Sequence, residues 1–460
     1  MVWLLTIAPT LLILGIHFGN QRKSEFFVRA SNYWILFYVT GYFLPIPLFV
    51  AGEDAWTTIW GYSFSNFRES LNYAVLIATT GGLVLSIAAA PRRKRILRTP
   101  LSADQLFRYR QSYKLNPPRI FLVAAVVIVT LTVGIELVGG LWYLLSNLGD
   151  RIILFAGLNG FFLPLYLLIG VCFAISASRA VADDFATWLE WAAIAVTLPS
   201  LLLLGSKANI FILIVGITII KLISFGGVKL RWALLATFVF TNLLMLYELI
   251  FREALIIGLN PERLTLGGWL AYLHLQITGN FMQIQNLTVL VEALPETLPY
   301  SMGDTYIAIP SLIIPQSFID IKPPGSTSVY TSAFWPQVVA RESTTMPPGL
   351  FGEAYLNFGV SGYLAACLIV GLALRTIDRQ IQSAGNMNCM QIVSIAAFGS
   401  MALHFIRGEL FAPFLILVGI FIGARIAVTA RRPRSAGGRC ASPTLSNLMI
   451  SQSVEESSSG

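Results

Sequence analysis

Apolar runs of about 17 to 25 residues recur along this chain, and a run of that length is what a helix needs to cross roughly 30 Å of hydrocarbon. The predicted spans are 2–17, 32–51, 72–90, 120–144, 155–176, 187–204, 208–224, 232–250, 350–373, 388–406 and 409–427. The runs are uniformly apolar and do not alternate, which points to helices rather than a closed barrel. With 56% hydrophobic and 12% charged residues, the chain has more apolar surface than a water-soluble core could absorb. The expected fold is therefore all-α, a polytopic bundle of about eleven spans. No basic n-region or small-residue cleavage site marks the first run, which reads as a retained helix.

The net charge of +8 raises the question of nucleic acid, but the basic residues fall between apolar runs and form no basic face. They act as topology signals. The segments around Arg22 and Lys23, residues 91–119, Arg179, Lys221 to Arg231, Arg375, Arg379 and the tail from Arg425 hold 23 of the 31 Lys and Arg residues. Positive charge is retained on the cytoplasmic side, so this set is placed there, with the amino terminus outside and the carboxyl terminus inside. Residues 91–119 carry nine basic and one acidic residue, a topology determinant that would also suit anionic headgroups. Cys172, Cys367, Cys389 and Cys440 show no CxxC spacing and no His partners, so neither a disulfide framework nor a metal site is expected.

The chain divides into spans 1–8 (1–250, with the basic loop 91–119), a large outward loop (251–349), spans 9–11 (350–430) and a Ser-rich tail (431–460) expected to be disordered. A connection as long as 251–349 is usually functional. It reads first as helical pieces, FREALII and GGWLAYLHLQITGNFMQIQNLTVLVEAL, whose amphipathic part would suit the membrane surface. A Pro/Gly-punctuated irregular stretch, SMGDTYIAIPSLIIPQSFIDIKPPGSTSVYTSAFWPQ, follows. No internal repeat suggests an inverted-repeat transporter.

Outward cations are sparse, and the helix ends and the loop bring together four candidates among them: Lys207, Arg252, Arg341 and Arg407. A charge so close to hydrocarbon is costly unless it is paired, snorkels to headgroups or is used on a ligand such as phosphate. Arg252 and Arg407 have acids nearby in sequence, Glu248 and Glu409. His274 and His404 fall on the outer half, each either a packing residue or a proton acceptor. Glu353 opens a span just after MPPGLFG, where it serves the helix dipole or acts as a base. Glu136 and Glu190 lie within spans without an evident partner, weak support for an ion path.

The stretches GDTYIAIPSLIIPQSFIDIKPPGS and PPGLFGEAYLNFGVSGYLAACLIVG resemble the O-antigen polymerase (Wzy-like) oligosaccharide repeat-unit polymerases. The E-x-x-x-N-F-G run within Gly352 to Gly362 is the most specific part; LLLLGSKAN resembles their G-S-R element, with Lys207 in place of Arg, and LHFIRGEL their Arg-bearing outer turn. The resemblance covers about a third of the chain. It implies a GT-C-like membrane glycosyltransferase that joins undecaprenyl-diphosphate-linked oligosaccharides at the outer face of the bacterial inner membrane. A chain-length regulator would be its protein partner, and no metal or other cofactor is called for. Under that reading Lys207, Arg252, Arg341 and Arg407 hold the diphosphate, and Glu353 or His404 accepts the proton of the attacking hydroxyl. An O-antigen ligase and a lipid-linked oligosaccharide flippase are the rival readings.

Overall fold

A computed structural model describes residues 2–19, 21, 29–51, 62–90, 113–147, 163–179, 184–203, 207–224, 265, 267–268, 281, 283–313, 324–336, 346–383, 388–408 and 410–430. The predicted span 232–250, most of the basic loop, the FREALII segment and the tail lie outside these residues. The described chain is helical almost throughout. In order it forms α1 (Val2–Phe18), α2 (Ala30–Tyr42), α3 (Ile46–Ala51), α4 (Phe67–Ala89), β1 (Tyr113–Leu115), α5 (Pro117–Val138) and α6 (Leu141–Ser146). Then come α7 (Leu163–Arg179), α8 (Asp184–Leu203), α9 (Lys207–Ser224), α10 (Gln283–Ala293), α11 (Asp304–Ile313) and α12 (Ser326–Phe334). The last elements are α13 (Leu350–Ser383), α14 (Cys389–Arg407), α15 (Phe411–Ala427) and β2 (Val428–Ala430).

Within the described residues the predicted spans fall on helices, two of them interrupted, and the first part of 155–176 lies outside those residues. Five, Ala30–Ala51 (α2 and α3 together), Phe67–Ala89, Pro117–Val138, Leu350–Gln380 and Cys389–Arg407, are long and apolar enough to cross a membrane. Val2–Phe18, Pro164–Ser178, Trp188–Leu202, Ala208–Ile223 and Ala412–Ala427 are shorter apolar helices. At 1.5 Å per residue these reach roughly 22 to 26 Å, a little less than the hydrocarbon thickness. Together these helices make the chain a helical membrane protein.

Local chemistry sets several ends. Asn116 caps α5 by accepting from the Arg119 amide at 3.4 Å, with Pro117 beside it in the first turn. Gly139, at φ 113°, stops α5 at Val138, so the predicted span 120–144 is broken before α6. The predicted span 32–51 is likewise two helices joined by a turn at residues 43–45. Asn388 and Gln391 form a reciprocal capping box at the start of α14.

The helix α14 is central, touching α2, α7, α9, α13 and α15. By contrast α5 is peripheral, with Phe121, Leu122, Val129 and Leu137 all exposed, as lipid-facing side chains are. Tyr38 on α2 ties three helices, its hydroxyl lying 2.6 Å from the Ala78 carbonyl of α4 and 2.8 Å from the Tyr363 hydroxyl of α13. Backbones approach closely between α7 and α15, where a Cβ at Gly170 would overlap the Ile420 carbonyl and one at Gly423 the Leu167 carbonyl. Gly423→Leu is therefore expected to push these helices apart and cost about 3 kcal/mol, the upper end for overpacking. Loss of the monodisperse peak on detergent extraction, with Gly15→Leu as a control in open space, is the measurement.

Contacts between helix ends sort them into two groups. In one, Asp378 of α13 accepts from the Ala30 amide and the Ser31 hydroxyl of α2, and His17 of α1 meets Asn32 at 2.9 Å. Glu190 of α8 pairs with Lys221 of α9 at 2.7 Å and accepts from Ser176 of α7. The pairing of β1 with β2, antiparallel with Lys114 opposite Thr429, joins the end of the basic loop to the chain after α15. These are the ends that the charge count assigns to the cytoplasm. The other group joins Ser65 to Glu292, Thr305 to Glu353, and Glu353 to Leu410. Glu190, read from sequence as lacking a partner, has two, which removes the reason to read it as part of an ion path.

The loop departs from its sequence reading in two ways. The stretch read as irregular contains α11 and α12, and a Pro inside α11, Pro310, does not prevent the short helix. The helix α10, part of the segment expected on the membrane surface, instead packs against α4 and α13 and is buried over most of its length.

Candidate functional site

The E-x-x-x-N-F-G run is a helix break that fastens the loop. Residues Phe358 and Gly359 leave helical geometry, Gly359 at φ 64° and ψ −148°, a region open to glycine alone. At the break the loop donates to two carbonyls of α13: Ser301 N–H to Leu356 at 3.0 Å and Met302 N–H to Asn357 at 3.2 Å. A Cβ at Gly359 would also press to within 3.1 to 3.3 Å of the Tyr300 ring.

Side chains complete the joint. Four residues apart, Glu353 and Asn357 share a helix face. Asn357 donates to the Thr305 hydroxyl at 2.7 Å and to the Glu353 carbonyl at 2.8 Å, and accepts from the Gly303 amide at 2.9 Å. The Glu353 carboxylate, 2% exposed, accepts from Thr305 Oγ1 at 3.2 Å and from the Leu410 amide at 3.0 Å. It thus links the loop to the turn between α14 and α15. Tyr306 stacks on Phe358 at 6.3 Å, and burial, with the Glu353 charge second, raises its hydroxyl above the ordinary tyrosine range. It remains neutral in the working pH range.

Arg407 ends α14, where the helix dipole favours a cation, and is half-buried. Gly349, at φ 82°, brings the start of α13 against the Ile406 carbonyl, so close that a Cβ there would overlap it. Arg407 therefore lies between two points at which α13 is anchored, Gly349 at Ile406 and Glu353 at Leu410. His404 is one turn earlier on the same helix and half-buried. The structure thus brings Glu353, His404 and Arg407 to one corner of the bundle.

Of the other predicted site residues, Arg252, Arg341 and His274 lie outside the described residues, as does the Lys207 side chain, although its backbone opens α9. The Arg407 and Arg252 neighbours in sequence, Glu409 and Glu248, also lie outside them. No group of three or more His, Cys, Asp or Glu residues suited to a metal occurs among the described residues. Sequence reasoning did not assign roles to Asn357, Thr305 or the Leu410 amide. The signal for Asn357 was the i, i+4 spacing from Glu353 within the motif. For Thr305 and Leu410, 48 and 57 residues distant, sequence carried none.

Chemically, the corner offers a half-buried cation and a half-buried imidazole on α14, next to a loop segment fastened to Glu353 and Asn357, a setting suited to an anionic group whose charge grows during reaction. Compared with family models, with curated proteins and with solved structures, the chain matches none.

Proposed function

We propose that the protein is a GT-C-like membrane glycosyltransferase that polymerises undecaprenyl-diphosphate-linked oligosaccharide repeat units at the outer face of the bacterial inner membrane. The observation that carries this reading is the joint of Glu353 and Asn357, which holds the loop segment 301–305 against the turn bearing Arg407. That is the part of the chain in which the resemblance to O-antigen polymerases resides. In the reaction, a sugar hydroxyl of one lipid-linked unit attacks the anomeric carbon of the chain on another, and the lipid diphosphate leaves. The leaving group is already a stabilised anion, so the site needs cations where charge develops rather than an acid to protonate it.

Arg407 is assigned to the diphosphate, where a guanidinium can bind two oxygens at once, and Lys207, Arg252 and Arg341 complete the proposed cation set. Both Glu353 oxygens accept hydrogen bonds, which makes it a positioning residue, and His404 is left as the group to take the hydroxyl proton. The lipid tail would lie among exposed apolar helix faces.

Purified protein in lipid nanodiscs, given lipid-linked repeat units alone, is expected to produce a ladder of longer lipid-linked products. Transfer that requires added lipid A core would make it a ligase instead. Movement of intact lipid across a bilayer with no bond change would make it a flippase.

A further inference from the structure

The helix α10 buries polar side chains that a helix in a packed bundle does not need. Gln283, Gln285, Asn286 and Thr288 are each at most 1% exposed. Two of them are satisfied. Thr288 donates to the Ile284 carbonyl at 2.7 Å, and Asn286 donates to the Pro347 carbonyl at 2.8 Å and accepts from the Tyr330 hydroxyl at 3.1 Å. Among the described residues, the amides of Gln283 and Gln285 meet no hydrogen-bond partner at either end. Buried amides left in this way lower stability, and leucine in their place would remove the cost.

Gln283 has a definite neighbourhood. Helical spacing puts residues 283, 286 and 290 on one face of α10, with Gln285 on the far side. On that face Asn286 reaches Pro347, and Leu290 lies 3.6 Å from a Cβ built at Gly352, so the face looks at the start of α13. The Gln283 Oε1 lies against Gly41 of α2, only 2.6 Å from where a Cβ would stand, and the same point is 3.6 Å from Ile406 Cγ2. Ile406 directly precedes Arg407. The unpartnered amide is therefore held beside the corner that carries Arg407, His404 and Glu353, with a residue lacking a side chain opposite it.

From this placement we infer that Gln283 is a glycan-binding residue, hydrogen-bonding a hydroxyl or acetamido group of the sugar next to the lipid diphosphate. The inference rests on the polymerase reading above. Its chemistry suits a sugar: a neutral amide offers a donor group and an acceptor side by side, the complement of a hydroxyl, and cannot neutralise phosphate. Arg407 and Gln283 would then read the two halves of one lipid-linked donor.

The test uses the full chain in nanodiscs and measures affinity for undecaprenyl diphosphate and for four single-sugar forms, carrying N-acetylglucosamine, glucose, galactose or mannose. At least one sugar-bearing lipid is expected to bind about tenfold more tightly than the bare diphosphate lipid, a difference of about 1.4 kcal/mol. In Gln283→Leu that advantage should fall to within twofold, with affinity for the bare lipid unchanged and thermal stability no lower. Gln283→Met, which fills irregular space more easily, serves if the leucine variant does not fold. A sugar preference that survives either folded variant overturns the inference, as does a wild type that binds all five lipids equally. Wild-type protein that binds none of the five defeats the polymerase reading itself.

Discussion

Arg407→Ala is expected to reduce chain elongation by at least about 100-fold, the order seen when one group that stabilises a developing anion is removed from a preorganised site. The residue is well placed for that effect. It sits at the carboxyl end of α14, which packs against five other helices, and residues on either side of it are anchored to α13. Its backbone is thus held in place, and a planar guanidinium loses less freedom per hydrogen bond to a diphosphate than an ammonium would. Truncation leaves the anchors intact, since Gly349 meets the Ile406 carbonyl and Glu353 meets the Leu410 amide, both backbone groups. Size-exclusion behaviour and melting temperature should therefore stay close to wild type while the product ladder disappears. Arg407→Lys, which keeps the charge but loses the paired donors, should retain a small fraction of activity. A normal ladder from Arg407→Ala would take the residue out of the site and leave it as a cation serving the helix end.

The apolar runs were legible in the sequence because hydrocarbon leaves a chain few options, and within the described residues they fall on helices, two of them interrupted. Their ends were less legible. Gly139 divides one predicted span by adopting positive φ, and the turn at 43–45 divides another; both depend on backbone geometry that apolar run length does not encode. The buried position of α10 ran against its composition, since Gln283, Gln285 and Asn286 argue for a polar surroundings on the usual cost of burial. The pairing of Glu190 with Lys221 was hidden by 31 residues of chain, although both ends were visible as charges beside apolar runs. At the site, Glu353, His404 and Arg407 were chosen for their chemistry and the structure puts them at one corner. The joint that holds them could not be read, because Asn357 gains its role only once the helix breaks at Gly359 and turns carbonyls toward the loop.

Glu353→Gln separates a joint from a base. If the carboxylate took the proton of the attacking hydroxyl, the amide would abolish transfer at unchanged stability, because shape and size are kept. The geometry leads to a different expectation. One carboxylate oxygen accepts from Thr305 and the other from the Leu410 amide, and an amide side chain can accept at only one of those places. With the new carbonyl oxygen kept on the Leu410 amide, its N–H groups face the Thr305 hydroxyl, which already accepts from Asn357, so the buried hydroxyl proton loses its acceptor at a cost of about 1–3 kcal/mol. Activity and stability should therefore fall together, with the loop released from the turn. Proteolysis near residues 300–306 should quicken in the same variant, since Ser301, Met302 and Gly303 are stitched to α13 next to this contact. Asn357→Leu should reproduce both effects, although asparagine amide cannot act as a base. If Glu353→Gln instead lost all transfer while melting and proteolysis stayed as in the wild type, Glu353 would be the proton acceptor and the joint would rest on Asn357 and the backbone stitch.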